Sequence, residues 1–333
     1  MGTQKELPSS LEGKTVLVAG AAGFVPSSLA KYYLELGAKV IGLDNFVTGS
    51  RSNLNKLNKY STFEFHEANI YEKLPDFSKQ KIDFIYSLAS PASPIDFFKI
   101  PLEIMRVNSE GTLKLLELAK EKKARFLEAS TSEVYGDPLI HPQVETYVGN
   151  VSCTGPRSCY DESKRFAEAM TMVFKRYHNV DTRIIRIFNT YGPGMRPNDG
   201  RVIPNFINQA MENKDITVYG DGLQTRSFCF VTDLVEAIHH VMFLGDSTPY
   251  NCGNPDEYSI LECAKEIIKV LGSKSKIVHL PLPEDDPKKR RPDITKLKNL
   301  SGFAPKVSFY EGIKETANYF KGLNHVDTRE VRA

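Results

Sequence analysis

Between Thr15 and about Phe188 the chain repeats one pattern: a short apolar run, a few turn residues, then a longer stretch with apolar positions three and four apart. Apolar runs predict strands at Thr15–Ala19, Lys39–Leu43, Thr62–His66, Ile82–Ser87, Arg125–Ala129 and Thr182–Phe188. Helical periodicity is clearest at Pro101–Lys123 and Tyr160–Tyr177. Strands that are apolar throughout and alternate with amphipathic helices imply a parallel sheet covered on both faces. The expected fold is therefore α/β, a Rossmann-type doubly wound parallel sheet.

After Asn189 the spacing changes, with prolines at 193, 197, 204, 249 and 255 and a proline-rich stretch from Pro281 to Pro292. Short elements separated by such turns predict a smaller C-terminal α/β lobe that binds substrate. The division expected is 14–188 with parts of 225–255 for the sheet domain and mainly 189–322 for the second lobe. Residues 1–13 and 323–333 read as tails, and no repeat or low-complexity tract is present.

Composition narrows the function classes. The 333 residues carry 43 Lys and Arg against 41 Asp and Glu, a net charge of +2, so bulk electrostatics call for neither nucleic acid nor an anionic membrane. The 5 cysteines, at 153, 159, 229, 252 and 263, form no C-x-x-C pair and no zinc-like cluster with histidine, which predicts reduced thiols, a cytoplasmic protein and no metal. The N-terminus lacks the apolar core of a signal peptide, and no apolar run approaches membrane-spanning length.

Against this neutral background two local constellations carry chemistry. The first strand runs into Gly20-Ala21-Ala22-Gly23-Phe24-Val25-Pro26 and then a helix, placing free backbone N–H groups where a pyrophosphate can sit. A glycine turn at such a point can be only a turn. Asp44 ends the next strand at the spacing of the dinucleotide fingerprint, where a carboxylate accepts a ribose 2′-OH and repels a 2′-phosphate, favouring NAD over NADP. Asn45, Phe46, Thr48 and Gly49 follow it toward the adenosine, and Asn69-Ile70 after the third strand flank the adenine. Pro26 stands where the fingerprint has glycine or alanine, and its fixed φ suits a first helical turn.

The second constellation pairs Thr131-Ser132-Glu133 with Tyr160-x-x-x-Lys164. Tyrosine and lysine at that spacing share a helix face, so an ammonium can stabilise a tyrosinate and make it a proton acceptor. Glu133 follows an apolar segment, where a strand would deliver it to the cofactor. Alone, a Tyr-x-x-x-Lys is common by chance; after the fifth strand, downstream of a dinucleotide fingerprint, it reads as redox equipment.

The segments Ala129-Ser130-Thr131-Ser132-Glu133-Val134-Tyr135-Gly136-Asp137-Pro138, Gly155-Pro156-Arg157-Ser158-Cys159-Tyr160-Asp161-Glu162, Arg186-Ile187-Phe188-Asn189-Thr190-Tyr191-Gly192-Pro193 and Val218-Tyr219-Gly220 with Gln224-Thr225-Arg226-Ser227-Phe228 resemble the extended short-chain dehydrogenase/reductase (NAD-dependent epimerase/dehydratase) family. Within it the similarity is greatest to the nucleotide-sugar decarboxylase subgroup. The resemblance implies an NAD-dependent decarboxylation of UDP-glucuronate to UDP-xylose through a 4-keto sugar.

Carried over by residue, Tyr160 takes the sugar 4-OH proton, Lys164 lowers the tyrosine pKa from about 10 and holds the nicotinamide ribose, and Thr131 bonds the 4-oxygen. Glu133 and Ser132 become candidates for positioning and proton handling, with Arg290 near the sugar carboxylate. Leu88, Ala89, Ser90 and Asn108 join the cofactor set. Asn189, Arg201, Tyr219, Gln224, Arg226, Arg290 and Arg291 are candidates for the UDP-sugar, because arginine forks suit phosphate oxygens. Tyr219 as uracil stacker or plain core stays open, as does Lys288–Arg291 as a solvated basic turn. The helices from Pro101 and Tyr160 imply a homodimer through a four-helix bundle.

Position 132 separates neighbouring chemistries. Related 4,6-dehydratases carry an aspartic acid there to protonate a departing 6-hydroxyl, which serine does poorly, so decarboxylation is preferred. Four departures from the family pattern stand out: Pro26, Asn69, Gly194 and Val148. Val148 lies in Tyr147–Thr154, expected to border the sugar, so a different sugar such as a UDP-hexosamine, or a 4-keto-forming dehydratase, is the alternative. A non-catalytic NAD-binding regulator is disfavoured by the intact Thr131, Tyr160 and Lys164.

Overall fold

A computed structural model describes residues 6–281 and 289–324. Its centre is a parallel sheet of β1 (Thr15–Ala19), β2 (Lys39–Asp44), β3 (Phe63–Glu67), β4 (Phe84–Ser87), β5 (Arg125–Thr131), β6 (Thr182–Ile187) and a seventh strand, Pro249–Cys252. The order is β3-β2-β1-β4-β5-β6 with Pro249–Cys252 beside β6. This is the doubly wound arrangement expected, with the strand order reversing beside β1, where ligands bind in such sheets.

The continuous apolar strands are explained by two covered faces. In β1, Val16 and Val18 enter a core with Leu29, Tyr33, Leu127, Leu234 and Ile238, while Leu17 enters another with Ile85, Leu115, Phe126 and Phe174. Period-two alternation sends neighbours to opposite faces, and helices cover both. The first face carries α1 (Phe24–Glu35) and the helix Val231–Leu244; the second carries α5 (Thr112–Lys122) and α6 (Ser158–His178).

Between the early and late helices lie α2 (Arg51–Leu57), α3 (Pro94–Lys99) and α4 (Pro101–Arg106). The helix expected over Pro101–Lys123 forms in two pieces, α4 and α5, joined by a π-helical turn at Val107–Gly111. That turn brings Asn108 inside, where its amide donates to Ser163 Oγ at 3.0 Å.

Residues after Asn189 build a second apolar cluster from the helices Val202–Met211, Ile260–Leu271 and Phe309–Asn324, around Tyr191, Phe206, Phe228 and Phe309. Ile260–Leu271 starts with a capping box, Glu262 N–H donating to Ser259 Oγ at 3.1 Å while Ser259 N–H donates to Glu262 Oε2 at 2.8 Å. Short strands finish the lobe; in one small sheet Thr225–Ser227 lies between Glu257–Ser259 and Lys289–Arg290.

Three expectations shift. Leu297 and Phe303, from the range assigned to the second lobe, pack in the first core. Leu11 is buried and its N–H donates to Leu36 O at 2.7 Å, so the fold begins before residue 14, and the last helix runs to Asn324. β5 ends at Thr131, and Glu133 stands on the single 3-10 turn Ser132–Tyr135 rather than on a strand. Residues 1–5, most of the Pro281–Pro292 stretch including Lys288, and the tail from 325 lie outside the described residues.

Candidate active site

At the C-terminal ends of β1, β4, β5 and β6, facing the second cluster, is a cavity of about 560 Å³. Its cofactor half starts at Gly20, which leaves β1 with φ +86. A Cβ there would stand 2.9 Å from Ala89 Cα and 3.0 Å from Leu88 O, so only glycine lets this turn meet the loop after β4. Gly23 caps α1 without a side-chain bond, leaving the Phe24 and Val25 N–H groups at a positive helix end. Pro26 sits in that first turn, where the N–H it lacks has no intrahelical partner to lose.

Asp44, at the end of β2, is buried. Its carboxylate accepts the Ala22 N–H at 3.0 Å and the Phe46 N–H at 2.7 Å, tying the glycine turn to the second strand. Burial pushes its pKa up and these backbone bonds pull it back. Gly20, Ala22, Gly23, Phe24, Val25, Asp44, Asn45 and Thr48 line the cavity, with Asn69 and Ile70 beyond β3 and Leu88, Ala89 and Ser90 beyond β4.

Phe46, Gly49 and Asn108 lie off this wall. Phe46 turns its ring under Arg51, 4.3 Å from the guanidinium, and Gly49 packs behind Asp44, where a Cβ would be 2.7 Å from Oδ1. Asn108 instead serves α6: it bonds Ser163, whose hydroxyl donates to Tyr160 O at 3.0 Å. A glycine cradle, a free helix end and a buried carboxylate on the next strand together fit a dinucleotide.

The reactive half gathers Thr131, Ser132, Glu133, Tyr160 and Lys164 on one wall. Thr131 Oγ1 accepts the Glu133 N–H at 3.2 Å, and the Thr131 side chain pulls the Tyr160 pKa down. The Tyr160 ring stacks on Phe97, centroids 4.7 Å apart. Burial pushes the phenol well above its ordinary value, Glu133 and Asp161 act in the same sense, and the Thr131 side chain and Arg201 offset part of this. The phenol is thus protonated at rest.

Lys164 is paired differently from the sequence expectation. Its ammonium donates to Glu128 Oε1 at 3.2 Å and Ala129 O at 2.7 Å, against β5, and its described hydrogen bonds do not include the Tyr160 phenol. Glu133 is also committed: Arg290 donates to both of its oxygens, to Oε2 at 3.0 Å, and Arg157 Nη2 donates to Oε2 at 2.6 Å. Burial raises its pKa, but the two guanidiniums outweigh that and hold it at about 2. Such a carboxylate is ionised at neutral pH and unsuited to donating a proton. Asp161, behind it, is pushed up to about 7 by burial and by the charge of Glu133.

Asn189, Arg201, Tyr219, Gln224, Arg226 and Arg290 also line the cavity, Arg290 directly against Glu133. Arg201 is forked onto Asp199 at 2.5 and 3.1 Å. Tyr219 is 45% exposed, which removes the core reading and leaves a ring at the rim. Arg290 is buried on the small strand Lys289–Arg290, so it is no solvated turn. Arg291 points elsewhere, its N–H donating to Gln143 Oε1 at 2.8 Å and its guanidinium 4.0 Å from Glu257. Val148 is 78% exposed and Tyr147–Thr154 lies off the wall, which resumes at Pro156. The departure at Val148 therefore says nothing direct about the sugar.

Sequence reasoning missed Arg157, Phe97 and Arg196. Arg157 precedes Tyr160 by three residues inside a quoted segment, so helical spacing could have found it. Phe97 and Arg196 carry no local signal; Arg196, in a loop, is paired at 2.8 Å with Asp96 of α3, far away in sequence, and both line the cavity.

Fold and cavity together describe an enzyme that binds a dinucleotide and oxidises a hydroxyl, and residues 16–253 match the NAD dependent epimerase/dehydratase family; the chain belongs to it. It is 48% identical over 310 residues to UDP-glucuronic acid decarboxylase 4 of Arabidopsis thaliana, covering 92% of this chain and 69% of that relative. It is 45% identical over 328 residues to UDP-glucuronic acid decarboxylase 1 of Danio rerio, covering 97% and 78%. Among solved structures, UDP-glucuronic acid 4-epimerase from Bacillus cereus, in complex with UDP-glucuronic acid and NAD, superposes with a TM-score of 0.84 at 30% identity, covering 93% of this chain and 99% of that one. A dTDP-glucose 4,6-dehydratase from Bacillus anthracis with NAD gives 0.81 at 26%, covering 94% and 98%.

Proposed function

We propose that this chain is an NAD-dependent UDP-glucuronate decarboxylase that makes UDP-xylose. The observation that carries the reading is Ser132 beside Tyr160 in a cavity where Arg157 and Arg290 converge on one carboxylate. No acid stands at 132 to expel a 6-hydroxyl, whereas cations are in place for a 6-carboxylate. Bound NAD supplies the hydride acceptor for C4 of the sugar and returns the hydride before product leaves.

Tyr160, in the phenolate form that the nearby Lys164 ammonium favours, receives the O4 proton, and the Thr131 hydroxyl on the same wall holds O4. With C4 a ketone, the C5–C6 bond of the β-keto acid breaks and its electron pair passes into a C4–C5 enolate, releasing carbon dioxide. Arg290 and the Arg157–Glu133 pair orient the carboxylate out of the ring plane, the geometry this cleavage needs. C5 then takes up a new proton in place of the lost carboxyl group, drawn from solvent because decarboxylation of a carboxylate consumes one. Gly20, Gly23 and Asp44 would hold the cofactor, and Arg201, Arg226, Asn189, Gln224 and Tyr219 the UDP portion. The lobes divide, in this reading, into 14–188 with parts of 225–255 and mainly 189–322.

A homodimer is part of the proposal. α4 and α6 pack together and leave Leu102 (70%), Met105, Phe166, Val173 and Tyr177 (75%) exposed, an apolar face suited to a second copy. Cytoplasmic residence rests on free thiols at all 5 cysteines. Among the described residues no helix is long and apolar enough to cross a membrane. The test is incubation with UDP-glucuronate and mass analysis. A UDP-pentose with carbon dioxide supports the reading; no product there, with a UDP-hexose turned into a species lighter by water, refutes it.

A further inference from the structure

We propose that Glu128 is a positioning residue for the reaction, the counter-ion that keeps the Lys164 ammonium charged and docked on β5. Glu128 is wholly buried on β5, between Ser87 of β4 and Ile184 of β6. Its Oε1 accepts from Lys164 at 3.2 Å, and its Oε2 has no partner. A fully desolvated carboxylate with one oxygen unmatched is costly, and no packing argument asks for it. Its one described polar contact is the lysine that serves Tyr160.

The converse explains why the cost is tolerated. Lys164 is itself buried, and a buried ammonium without a counter-charge loses its proton at lower pH, by up to several units. Glu128 opposes that loss. Together with Ala129 O it takes two of the three ammonium N–H bonds, leaving one for the cavity that Lys164 lines.

Other charges near the pair are few. Beside Glu128 in the sheet stand Ser87 of β4 and Ile184 of β6, neither titratable. The π-helical turn presents neutral Asn108, through Ser163. From α6 come Tyr160, faced in turn by Glu133, Asp161 and Arg201, and Glu168, one turn beyond Lys164, which accepts from Ser130 Oγ at 2.5 Å and is paired with Arg186 of β6 at 2.8 Å.

The inference rests on reading Lys164 as the partner of Tyr160, and two measurements keep the two ideas apart. The first is the pH profile of kcat/KM on UDP-glucuronate for wild type, Glu128→Gln and Glu128→Asp. Glu128→Gln is expected to gain an alkaline limb that wild type lacks, a roughly tenfold loss between neutral pH and pH 9, because the charge that holds the Lys164 ammonium is gone. Deprotonation of Tyr160 raises activity with pH and cannot mimic this limb. Glu128→Asp keeps the charge and is expected to restore the wild-type limb even at lower kcat. An unchanged profile in Glu128→Gln, or an aspartate variant that behaves like the glutamine one, overturns the proposal.

The second measurement needs no substrate: urea unfolding of Glu128→Gln, Lys164→Met and the double variant. Coupling of about tenfold in the unfolding equilibrium constant is expected. Should Glu128→Gln fail to fold, the double variant must fold, since removing the ammonium removes the need for its counter-ion. Additive single losses, or a double variant that also fails, overturn the pairing, whatever sugar the enzyme uses.

Discussion

Glu133→Gln turns the arginine clamp into a measurable pH effect. Two guanidiniums hold the Glu133 carboxyl at about 2 against an ordinary 4.5. A carboxylate whose pKa is depressed on folding stabilises the fold above the unfolded pKa and gives that stability up as pH falls toward the folded one. The fall from 4.5 to about 2 is worth roughly 3 kcal/mol, of which on the order of 1 kcal/mol is gone by pH 3.5. Asp161 works in the opposite sense. Raised from 3.8 to about 7, it favours the folded state below its unfolded pKa and loses that contribution as pH rises through 7.

The comparison is therefore made in an Asp161→Asn background, so that only Glu133 titrates. Urea unfolding at pH 6.0 and 3.5 is followed by circular dichroism, because the chain has no tryptophan. The stability gap between Asp161→Asn and Asp161→Asn/Glu133→Gln is expected to narrow by on the order of 1 kcal/mol at the lower pH. A gap that stays constant refutes the clamp as an electrostatic device and with it the ionised Glu133 of the mechanism.

Further outcomes follow from the same geometry. Tyr160→Phe is expected to lower kcat by at least ~10³-fold while calorimetry finds NAD affinity nearly unchanged, because the lost group is the proton acceptor for O4; near-normal turnover removes it from the chemistry. Asp44→Ala is expected to weaken NAD binding about 10- to 100-fold, through loss of a charged acceptor and of the Ala22 tie, and unaltered affinity contradicts its placement. Leu102→Glu with Tyr177→Glu is expected to give a monomeric mass by light scattering where the natural chain gives a dimer; a monomer in both contradicts the proposed interface.

The sheet was legible because its strands are apolar on both faces and each is followed by turn chemistry, the pattern that buried parallel strands impose. Ends moved by a residue or two, as when β2 extended through Asp44. Gly20, Asp44, Thr131, Tyr160 and Lys164 were legible for a related reason: each stands at a strand end or on a helical repeat of its neighbour, so spacing along the chain sets position in space. Phe97 against Tyr160 and Asp96 against Arg196 were not, since those contacts join α3 to α6 and to a distant loop, segments that only the closed fold brings together. The partner of Lys164 was hidden for a subtler reason. The helical face it shares with Tyr160 is visible in the sequence, but the carboxylate that captures its ammonium lies on a strand, 36 residues earlier.

The central claim is transient oxidation at C4 with loss of C6 as carbon dioxide, and C4-deuterated UDP-glucuronate tests it most directly. With the natural chain and NAD, the UDP-pentose formed is expected to keep its deuterium at C4, because the hydride removed from that carbon goes back to it within one turnover. Deuterium lost from the pentose, or label found in a UDP-hexose whose C6 is intact, contradicts the account.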